Sequence, residues 1–254
     1  MKKLGLRACQ VCCWNTDLYT DENAALLSSE TGRTGVKVTS LWAGWPGPAV
    51  WDFVDGPVTL GLVPVKYRKI RIEALKKAAD FASRCGIPAI VTHLGFIPEN
   101  PKDPVFGQMV AVVKDVAVYC RKRNLQFWFE TGQETPVTML RLIKETNMDN
   151  LGINLDPANL ILYGKGNPVD ALDVFGHHVL GIHAKDGVYP VDPMKLGHEV
   201  RVGEGKVCFP GFVKRLKEVG YRGAFIIERE ISGEQQIIDI KKTIGYLGKL
   251  LKKY

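Results

Sequence analysis

Four short apolar stretches of the chain are each followed by a residue whose side chain can bind a metal ion. These residues are Glu130, Asp156, His183 and Glu228. Three carboxylates and one imidazole, with no thiolate, form an oxygen-rich ligand set that suits Mn²⁺, Mg²⁺ or Co²⁺ and also permits Zn²⁺. Without a divalent cation, the carboxylates would repel one another and some would bind protons. We therefore predict one divalent metal ion, with Mn²⁺ as the foremost candidate.

Each of these residues also has an ordinary structural interpretation. Asp156 precedes a proline and is typical of a helix N-cap, a single His183 is typical of a buried core histidine, and Glu228 beside Arg229 is typical of an ion pair. The repetition favours the metal site, because all four residues occupy the same place after an apolar run. Side chains at the carboxyl ends of the strands of a parallel barrel point into the active-site mouth.

The two glutamates are candidates for acid–base chemistry. If Glu130 ends the fourth strand of an eight-stranded barrel and Glu228 ends the eighth, they lie on opposite sides of the mouth. A chelated substrate then has one carboxylate on each face. This arrangement suits removal of a proton from one face and its return from the other, while the metal stabilises an enediolate. The predicted chemistry is proton abstraction next to a carbonyl.

The elements that must position these residues alternate regularly along the chain. Seven runs predict strands: Leu4–Val11, Val36–Leu41, Ala89–Thr92, Leu125–Phe129, Leu151–Leu155, Val179–Ile182 and Ala224–Ile227. Amphipathic stretches between them predict helices: Asp17–Glu30, Arg68–Arg84, Pro104–Arg123, Pro136–Thr146, Phe209–Val219 and Glu234–Leu251. With a short eighth strand near Val200–Val202, the pattern predicts an α/β fold, a single (β/α)₈ TIM barrel domain over residues 1–254. A doubly wound sheet is less favoured, because the first strand runs into Cys12-Cys13-Trp14-Asn15 rather than a glycine-rich turn.

Composition limits the class of protein. The 254 residues are 46% hydrophobic and 24% charged, which is ordinary for a globular chain and excludes a disordered or collagen-like one. The net charge of +7 equals the seven lysines at positions 2–3 and 241–253, so the middle of the chain is close to neutral and we expect no nucleic-acid partner.

The first residues lack a signal peptide and no long apolar run occurs, so we expect no membrane association and a cytoplasmic location. Six cysteines lack the paired spacing of a zinc site, and Cys9, Cys12 and Cys13 are predicted to be buried thiols.

Around the four candidate metal ligands and the strands before them, the sequence resembles the sugar phosphate isomerase/epimerase family with the xylose isomerase-like barrel. That family includes D-tagatose 3-epimerase, hydroxypyruvate isomerase and inosose dehydratase. The resemblance covers nearly the whole chain and is carried by THLGFIPENP (92–101), FETGQETP (129–136), NLDPANLILYG (154–164), GIHAKDG (181–187), VGEGKVCFPGF (202–212) and IIEREISG (226–233).

The resemblance implies roles for individual residues. It places the metal ligands at Glu130, Asp156, His183 and Glu228, and the acid and base at the two glutamates. It implies substrate contacts from Arg201, which matches an arginine that binds sugar hydroxyls, and from Asn159, where the epimerases have a histidine. Four further candidate substrate contacts are His93, Glu134, Lys185 and Trp14. Lys185 could bind a phosphate or carboxylate, or pair with Asp186. Trp14 belongs to a group of tryptophans that could stack on a sugar or pack a loop, the others being Trp42, Trp45 and Trp51.

The activity implied is that of a metal-dependent isomerase or epimerase of carbohydrate metabolism, acting on a small keto-sugar or sugar phosphate. A lyase of the inosose dehydratase kind and a non-catalytic sugar-binding barrel are the alternatives. Endonuclease IV is a more distant relative that needs additional histidines. His93 matches one of them, but Asn159 and the segment Leu196-Gly197-His198 lack others, which argues against DNA repair. A homo-oligomer is possible.

Overall fold

The computed structural model describes residues 1–254, apart from the side chain of Lys2. Its central feature is a sheet of seven parallel strands whose spatial order follows the chain. These strands are β1 (Ala8–Cys13), β2 (Lys37–Ala43), β3 (Ala89–Thr92), β4 (Gln126–Glu130), β5 (Leu151–Leu155), β6 (Val179–Ala184) and β9 (Phe225–Ile227). The strands β7 (Asp186–Val188) and β8 (His198–Val200) form a separate antiparallel hairpin. The first and last strands of the sheet, β1 and β9, contact each other, so the barrel is nearly closed.

Helices connect the strands and cover the outside of the sheet. They are α1 (Asp21–Thr34), α2 (Gly56–Thr59), α3 (Val65–Arg84), α4 (Pro104–Arg121), α5 (Pro136–Thr146), α6 (Pro157–Leu162), α7 (Pro168–Phe175), α8 (Phe209–Glu218) and α9 (Glu234–Lys253), with 3-10 turns at Lys2–Leu4, Thr16–Leu18 and Gly176–His178. Within the described chain, no helix is both long and apolar enough to cross a membrane. The predicted TIM-barrel fold class is confirmed.

The predicted eighth strand at Val200–Val202 is wrong. Only Val200 lies in a strand, and that strand belongs to the hairpin, so β6 pairs directly with β9. The reason lies in Asp186, whose carboxylate accepts the backbone N–H groups of Gly203, Gly205 and Val207 at 3.0–3.1 Å. These donors are therefore committed to a tight loop and cannot enter a sheet ladder. A Cβ on Gly205 would lie 2.1 Å from Asp186 Oδ1, so this glycine is what lets the loop close on the carboxylate.

Helix boundaries follow local capping. Helix α5 has the predicted bounds, and its N-cap Thr135 accepts a hydrogen bond from Thr138 N. Helix α1 begins later than predicted, because Thr20 rather than an earlier residue caps it. The short helices α6 and α7 were not predicted from periodicity, although each begins with proline after an Asp or Asn cap, Asp156 and Asn167.

A fully buried arginine holds the loop that follows β2. Arg71 on α3 donates to the backbone oxygens of Gly61 at 2.6 Å, Pro48 at 2.8 Å and Pro46 at 3.3 Å. Its guanidinium carbon also lies 5.2 Å from the ring centroid of Trp45. Burial lowers the pKa of Arg71 to about 10, which leaves it protonated at neutral pH. The loop is therefore fastened to α3 by three charge-assisted hydrogen bonds.

Replacing Arg71 should destabilise the fold through these carbonyls. We expect Arg71→Leu to lower the free energy of unfolding by roughly 3 kcal/mol, because buried carbonyls would lose their donors. Arg71→Lys should recover less than half of this loss, since one ammonium cannot replace the planar fork. Urea unfolding followed by circular dichroism measures both changes. The exposed Arg33→Leu variant is the control, and equal stabilities for Arg71→Leu and Arg33→Leu would contradict the clamp.

Candidate metal centre and active site

Four side chains converge at the carboxyl end of the barrel. One ligand atom from each of Glu130, Asp156, His183 and Glu228 lies within 4.8 Å of the other three. Asp156 is fully buried, and Glu130 and His183 are 3% and 4% exposed. The side chain of Glu228 is 30% exposed, so it is the ligand candidate most accessible from solvent. The structure thus brings together the four residues that the strand ends predicted.

The four come from four neighbouring strands. Glu130 is the last residue of β4, Asp156 follows β5, His183 lies in β6 and Glu228 follows β9. Because β9 is the seventh strand of the sheet and pairs with β6, Glu228 lies beside His183 and three strands away from Glu130. The prediction that Glu228 ends the eighth strand of the barrel is therefore wrong, although three strands is the largest separation that two strands can have in a nearly closed ring of seven.

Each of three ligand candidates presents an atom that makes no hydrogen bond within the described chain: Asp156 Oδ2, His183 Nδ1 and Glu228 Oε2. Nδ1 of His183 lies 2.8 Å from Glu228 Oε2 and 3.4 Å from oxygens of Asp156 and Glu130. Buried polar atoms are nearly always paired in folded proteins. Convergent unpaired atoms on two carboxylates and a ring nitrogen, with the Glu130 carboxylate beside them, therefore fit a divalent cation in both charge and ligand type.

Asp156 serves the helix and the centre at once. Its Oδ1 accepts a hydrogen bond from Asn159 N at 2.9 Å and caps α6, while Oδ2 faces the other ligand candidates. The N-cap interpretation and the ligand interpretation of this residue are therefore compatible. Proline at the first position of α6 has no N–H and needs no acceptor, so the second oxygen of the capping carboxylate stays free.

Glu130 is held from several directions. Trp42 Nε1 donates to Oε2, and Asn159 Nδ2 donates to Oε1 at 3.3 Å. His93 Nε2 also lies 3.4 Å from Oε1. Burial favours the protonated form of Glu130, but the nearby His183 and His93 outweigh it and hold its pKa well below the usual range. The carboxylate is thus ionised and fixed in orientation.

A hydrogen-bonded pair crosses the barrel beneath His183. Gln10 on β1 donates from Nε2 to Asn154 Oδ1 at 2.7 Å, and its Oε1 lies 2.7 Å from His183 Nε2. Asn154 Nδ2 lies 3.0 Å from the same ring nitrogen. In the tautomer with the proton on Nε2, His183 donates to Gln10 and leaves the Nδ1 lone pair directed at the three carboxylates. Gln10 therefore supports the tautomer that a metal requires.

Lys185 is a buried cation beside the carboxylates. Its Nζ lies 2.9 Å from Glu230 Oε2 and 3.7 Å from oxygens of both Asp156 and Glu228. Burial disfavours the charged amine, but these carboxylates dominate and raise its pKa. The sequence left open a pairing with Asp186, yet Asp186 is occupied by the 203–207 loop. Lys185 neutralises part of the negative charge of the centre.

The centre opens into a cavity of about 650 Å³. Its lining comprises Gln10, Cys12, Trp14, Trp42, Trp51, His93, Glu130, Asn159, Leu162, Tyr163, His183, Lys185, Leu196, Ile226, Ile227, Glu228 and Glu230. Among the predicted substrate contacts, His93, Asn159, Lys185 and Trp14 are in this lining. The volume is typical of small-molecule sites.

Two of the implied substrate residues do not reach the cavity. Arg201 pairs with Glu204, three residues further along the same loop, and is not part of the lining. Glu134 is 2% exposed and lies outside the lining, with both carboxylate oxygens unpaired within the described residues. Cys12, in contrast, is exposed and lines the cavity, so its assignment to a buried thiol cluster is wrong.

Other residues of the site were not identified from the sequence. Gln10 and Glu230 gave the clearest available signals, since Gln10 interrupts an apolar strand and Glu230 follows Glu228 by two positions. Leu162, Tyr163 and Leu196 carry no chemical signature, and only the folded chain places them beside the centre.

The chain belongs to the xylose isomerase-like TIM barrel family, whose model matches residues 1–250. It is similar to a solved xylose isomerase domain protein from Planctomyces limnophilus, with 36% identity, 99% of this chain and 91% of that chain covered, and a TM-score of 0.95. A D-tagatose 3-epimerase-like protein has the same fold at 22% identity, with coverage of 97% and 88% and a TM-score of 0.73. The IOLI protein, solved with a bound zinc atom, also shares the fold at 16% identity, with coverage of 98% and 91% and a TM-score of 0.76.

Two curated relatives are uncharacterized. A protein of Methanocaldococcus jannaschii is 26% identical over 178 residues, which are 65% of this chain and 58% of that protein. A protein of Escherichia coli is 32% identical over 79 residues, 31% of this chain and 24% of that protein. The chain thus spans less than two thirds of the length of either relative.

Gln10→Leu should weaken metal binding. Loss of the hydrogen-bond partner behind a ligating histidine costs about 10- to 100-fold in metal affinity. A leucine at position 10 cannot accept the hydrogen bond from Nε2 of His183. Calorimetric titration with Mn²⁺ or Zn²⁺ measures this change directly. Gln10→Glu keeps an acceptor at the same place and should bind metal at least as tightly as the wild type. Unchanged affinity in Gln10→Leu would show that Gln10 does not orient His183.

Glu134 should make stability depend on pH. Burial raises its pKa to about 7 from a usual 4.5, so between these values the unfolded chain releases the proton first and the folded state loses stability as pH rises. Glutamine at position 134 does not titrate in this range. The free energy of unfolding of Glu134→Gln, relative to that of the wild type, should therefore increase by on the order of 3 kcal/mol between pH 4.5 and pH 7.5.

Denaturant unfolding across this pH range checks the expectation. The exposed Glu145→Gln variant controls for the loss of one negative charge. A constant difference between Glu134→Gln and the wild type would mean that the Glu134 carboxyl ionises normally in the folded protein.

Proposed function

We propose that this protein is a divalent-metal-dependent isomerase or epimerase that acts on a keto-sugar by proton transfer. The convergence of unpaired atoms from Asp156, His183 and Glu228, with Glu130 beside them, carries the proposal. These four residues would hold the ion, for which Mn²⁺ is the first candidate. When bound, the ion would supply Lewis-acid stabilisation for the negative charge that develops on a substrate oxygen.

Glu228 is the better placed of the two glutamates to move a proton. It lines the cavity, its side chain is 30% exposed, and Oε2 has no hydrogen-bond partner among the described residues. Burial raises the pKa of Glu228, but His183 and Lys185 outweigh it and lower the value to about 2. At neutral pH the group is a carboxylate, ready to accept a proton from a substrate carbon.

Glu130 would take the second acid–base role with less freedom. Its two oxygens already accept hydrogen bonds from Trp42 and Asn159, so its orientation is set before the substrate arrives. The contact with His93 at 3.4 Å gives this carboxylate a neighbour that can exchange protons with it. Glu130 and Glu228 both line the cavity and both approach His183 Nδ1, so a small substrate bound there would touch the two groups.

Sugar hydroxyl groups would find complementary partners around the centre. Asn159, His93 and Lys185 line the cavity and can donate or accept hydrogen bonds beside the reacting carbon. A lyase that removes the same proton and then expels a neighbouring hydroxyl would use the same groups. The product of the reaction separates these two outcomes.

The test is solvent deuterium incorporation into ketoses, ketose phosphates and inososes by the Mn²⁺-loaded protein, read by mass spectrometry. We expect exchange at a carbon next to the carbonyl. Glu228→Gln should slow it by at least about 100-fold, in line with the loss of one acid–base group. Glu230→Gln, an equivalent change two residues away, should reduce the rate by less than about tenfold.

Metal content is measured for each variant, so that loss of the ion and loss of the base are distinguished. A dehydrated product would assign the lyase reaction. Absence of exchange in every compound, with the metal bound, would exclude proton transfer and favour a sugar-binding protein.

A further inference from the structure

A continuous aromatic wall extends from the metal centre to the mouth of the cavity. It consists of His93, Trp42, Trp14 and Trp51, with neighbouring ring centroids 5.1–6.4 Å apart. At its inner end Trp42 donates to Glu130. At its outer end Trp14 and Trp51 are 43% and 40% exposed. Large aromatic surface that remains open beside a polar centre is characteristic of a binding site.

The aromatic wall is packed against buried residues that hold it in place. Trp45 is 3% exposed and packs behind it, with its ring centroid 5.3 Å from that of Trp14 and 6.4 Å from that of Trp51. Arg71 stacks on Trp45 and holds the surrounding loop through backbone carbonyls. Because this support is built into the fold, the outer tryptophans are preorganised for a ligand and need little ordering when it binds.

The charged groups of the cavity leave no free cation for a phosphate. Among the lining residues, Lys185 is the single lysine or arginine, and it already contacts Glu230, Glu228 and Asp156. The three carboxylates of the centre and Lys185 together leave two negative charges, which one divalent ion balances, and Glu230 adds another. A phosphate would therefore enter a site of zero or negative charge without an unpaired lysine or arginine to bind it.

The cavity has more room than one sugar ring needs. Its volume of about 650 Å³ lies in the middle of the range, about 300–1,000 Å³, that holds drug-sized ligands. Apolar residues apart from the wall contribute to the lining, namely Leu162, Leu196, Ile226 and Ile227. The 43% and 40% exposure of Trp14 and Trp51 leaves their surfaces open to a group attached to a sugar ring at the metal centre.

We propose that the substrate is an uncharged glycoside that carries a ketone on the reacting ring and whose second ring or apolar aglycone lies against Trp14 and Trp51. The sugar that reacts would occupy the polar centre, and the aromatic wall would bind the attached group. This inference rests on the proposed sugar chemistry and adds the substrate class. It assigns to Trp51 a contact that sets specificity, at a distance from the reacting carbon.

Calorimetric titration of the Mg²⁺-loaded protein tests the proposal. The ligands are the methyl glycoside, the phenyl glycoside and the 6-phosphate of glucose, galactose and mannose. In at least one series, the phenyl glycoside should bind about tenfold more tightly than the methyl glycoside, since aromatic stacking adds to the burial of the ring. The phosphate should bind no more tightly than the methyl glycoside.

Variants identify the subsite. Trp51→Ala should reduce the preference for the phenyl glycoside to less than about threefold, whereas Trp51→Phe should keep most of it. Val58→Ala, an exposed change on the nearby helix α2, should leave the preference intact. Equal affinity for phenyl and methyl glycosides, tighter binding of a phosphate, a preference that survives Trp51→Ala, or no glycoside binding in any series would each overturn the proposal.

The same measurements separate this inference from the proposed function. A phenyl preference that depends on Trp51, without any deuterium exchange, would support the aromatic subsite and contradict the proton-transfer function. Deuterium exchange without a phenyl preference would support the proton-transfer function and contradict the aromatic subsite.

Discussion

Three carboxylates crowded around one buried imidazole are the constraint on which the rest of this site depends. Asp156 and Glu130 are almost inaccessible to water, and each has an oxygen 3.4 Å from the same nitrogen of His183. Charges in such surroundings are costly unless they are paired. Lys185 offsets one of them, and one divalent ion would neutralise the remaining charge. The polar network and the cavity are arranged around this balance.

Two of the ligand candidates are oriented by hydrogen bonds at the atom that faces away from the centre. Asp156 uses Oδ1 to cap α6 and keeps Oδ2 directed inward. His183 uses Nε2 for Gln10 and keeps Nδ1 directed inward. Both residues are oriented from behind, so the geometry of the centre is set by ordinary fold-forming hydrogen bonds. The same bonds that build the barrel therefore prepare the site.

The sequence predicted the parts of this site that depend on local pattern. A ligand-type residue directly after an apolar run is a short-range signal, and it identified the four residues that the structure brings together. The predicted eighth strand failed because Asp186 captures the N–H groups of Gly203, Gly205 and Val207, and that contact spans about twenty residues. The loop clamp of Arg71 likewise depends on contacts with residues 10 to 25 positions away, which no spacing in the chain encodes.

The missing eighth strand also explains how Glu228 is positioned. Strand β9 pairs with β6, and on its other side no described strand pairs with it, so the sheet alone fixes it less firmly than β4 or β5. Arg229 compensates by pairing with Asp239 on α9 at 2.8 Å and with Glu199 on the β8 hairpin strand at 3.0 Å. Glu199 also accepts the N–H of Glu230 at 2.9 Å. The hairpin that replaces a barrel strand thus holds the segment that carries Glu228 from the side, while leaving its carboxylate open to the cavity.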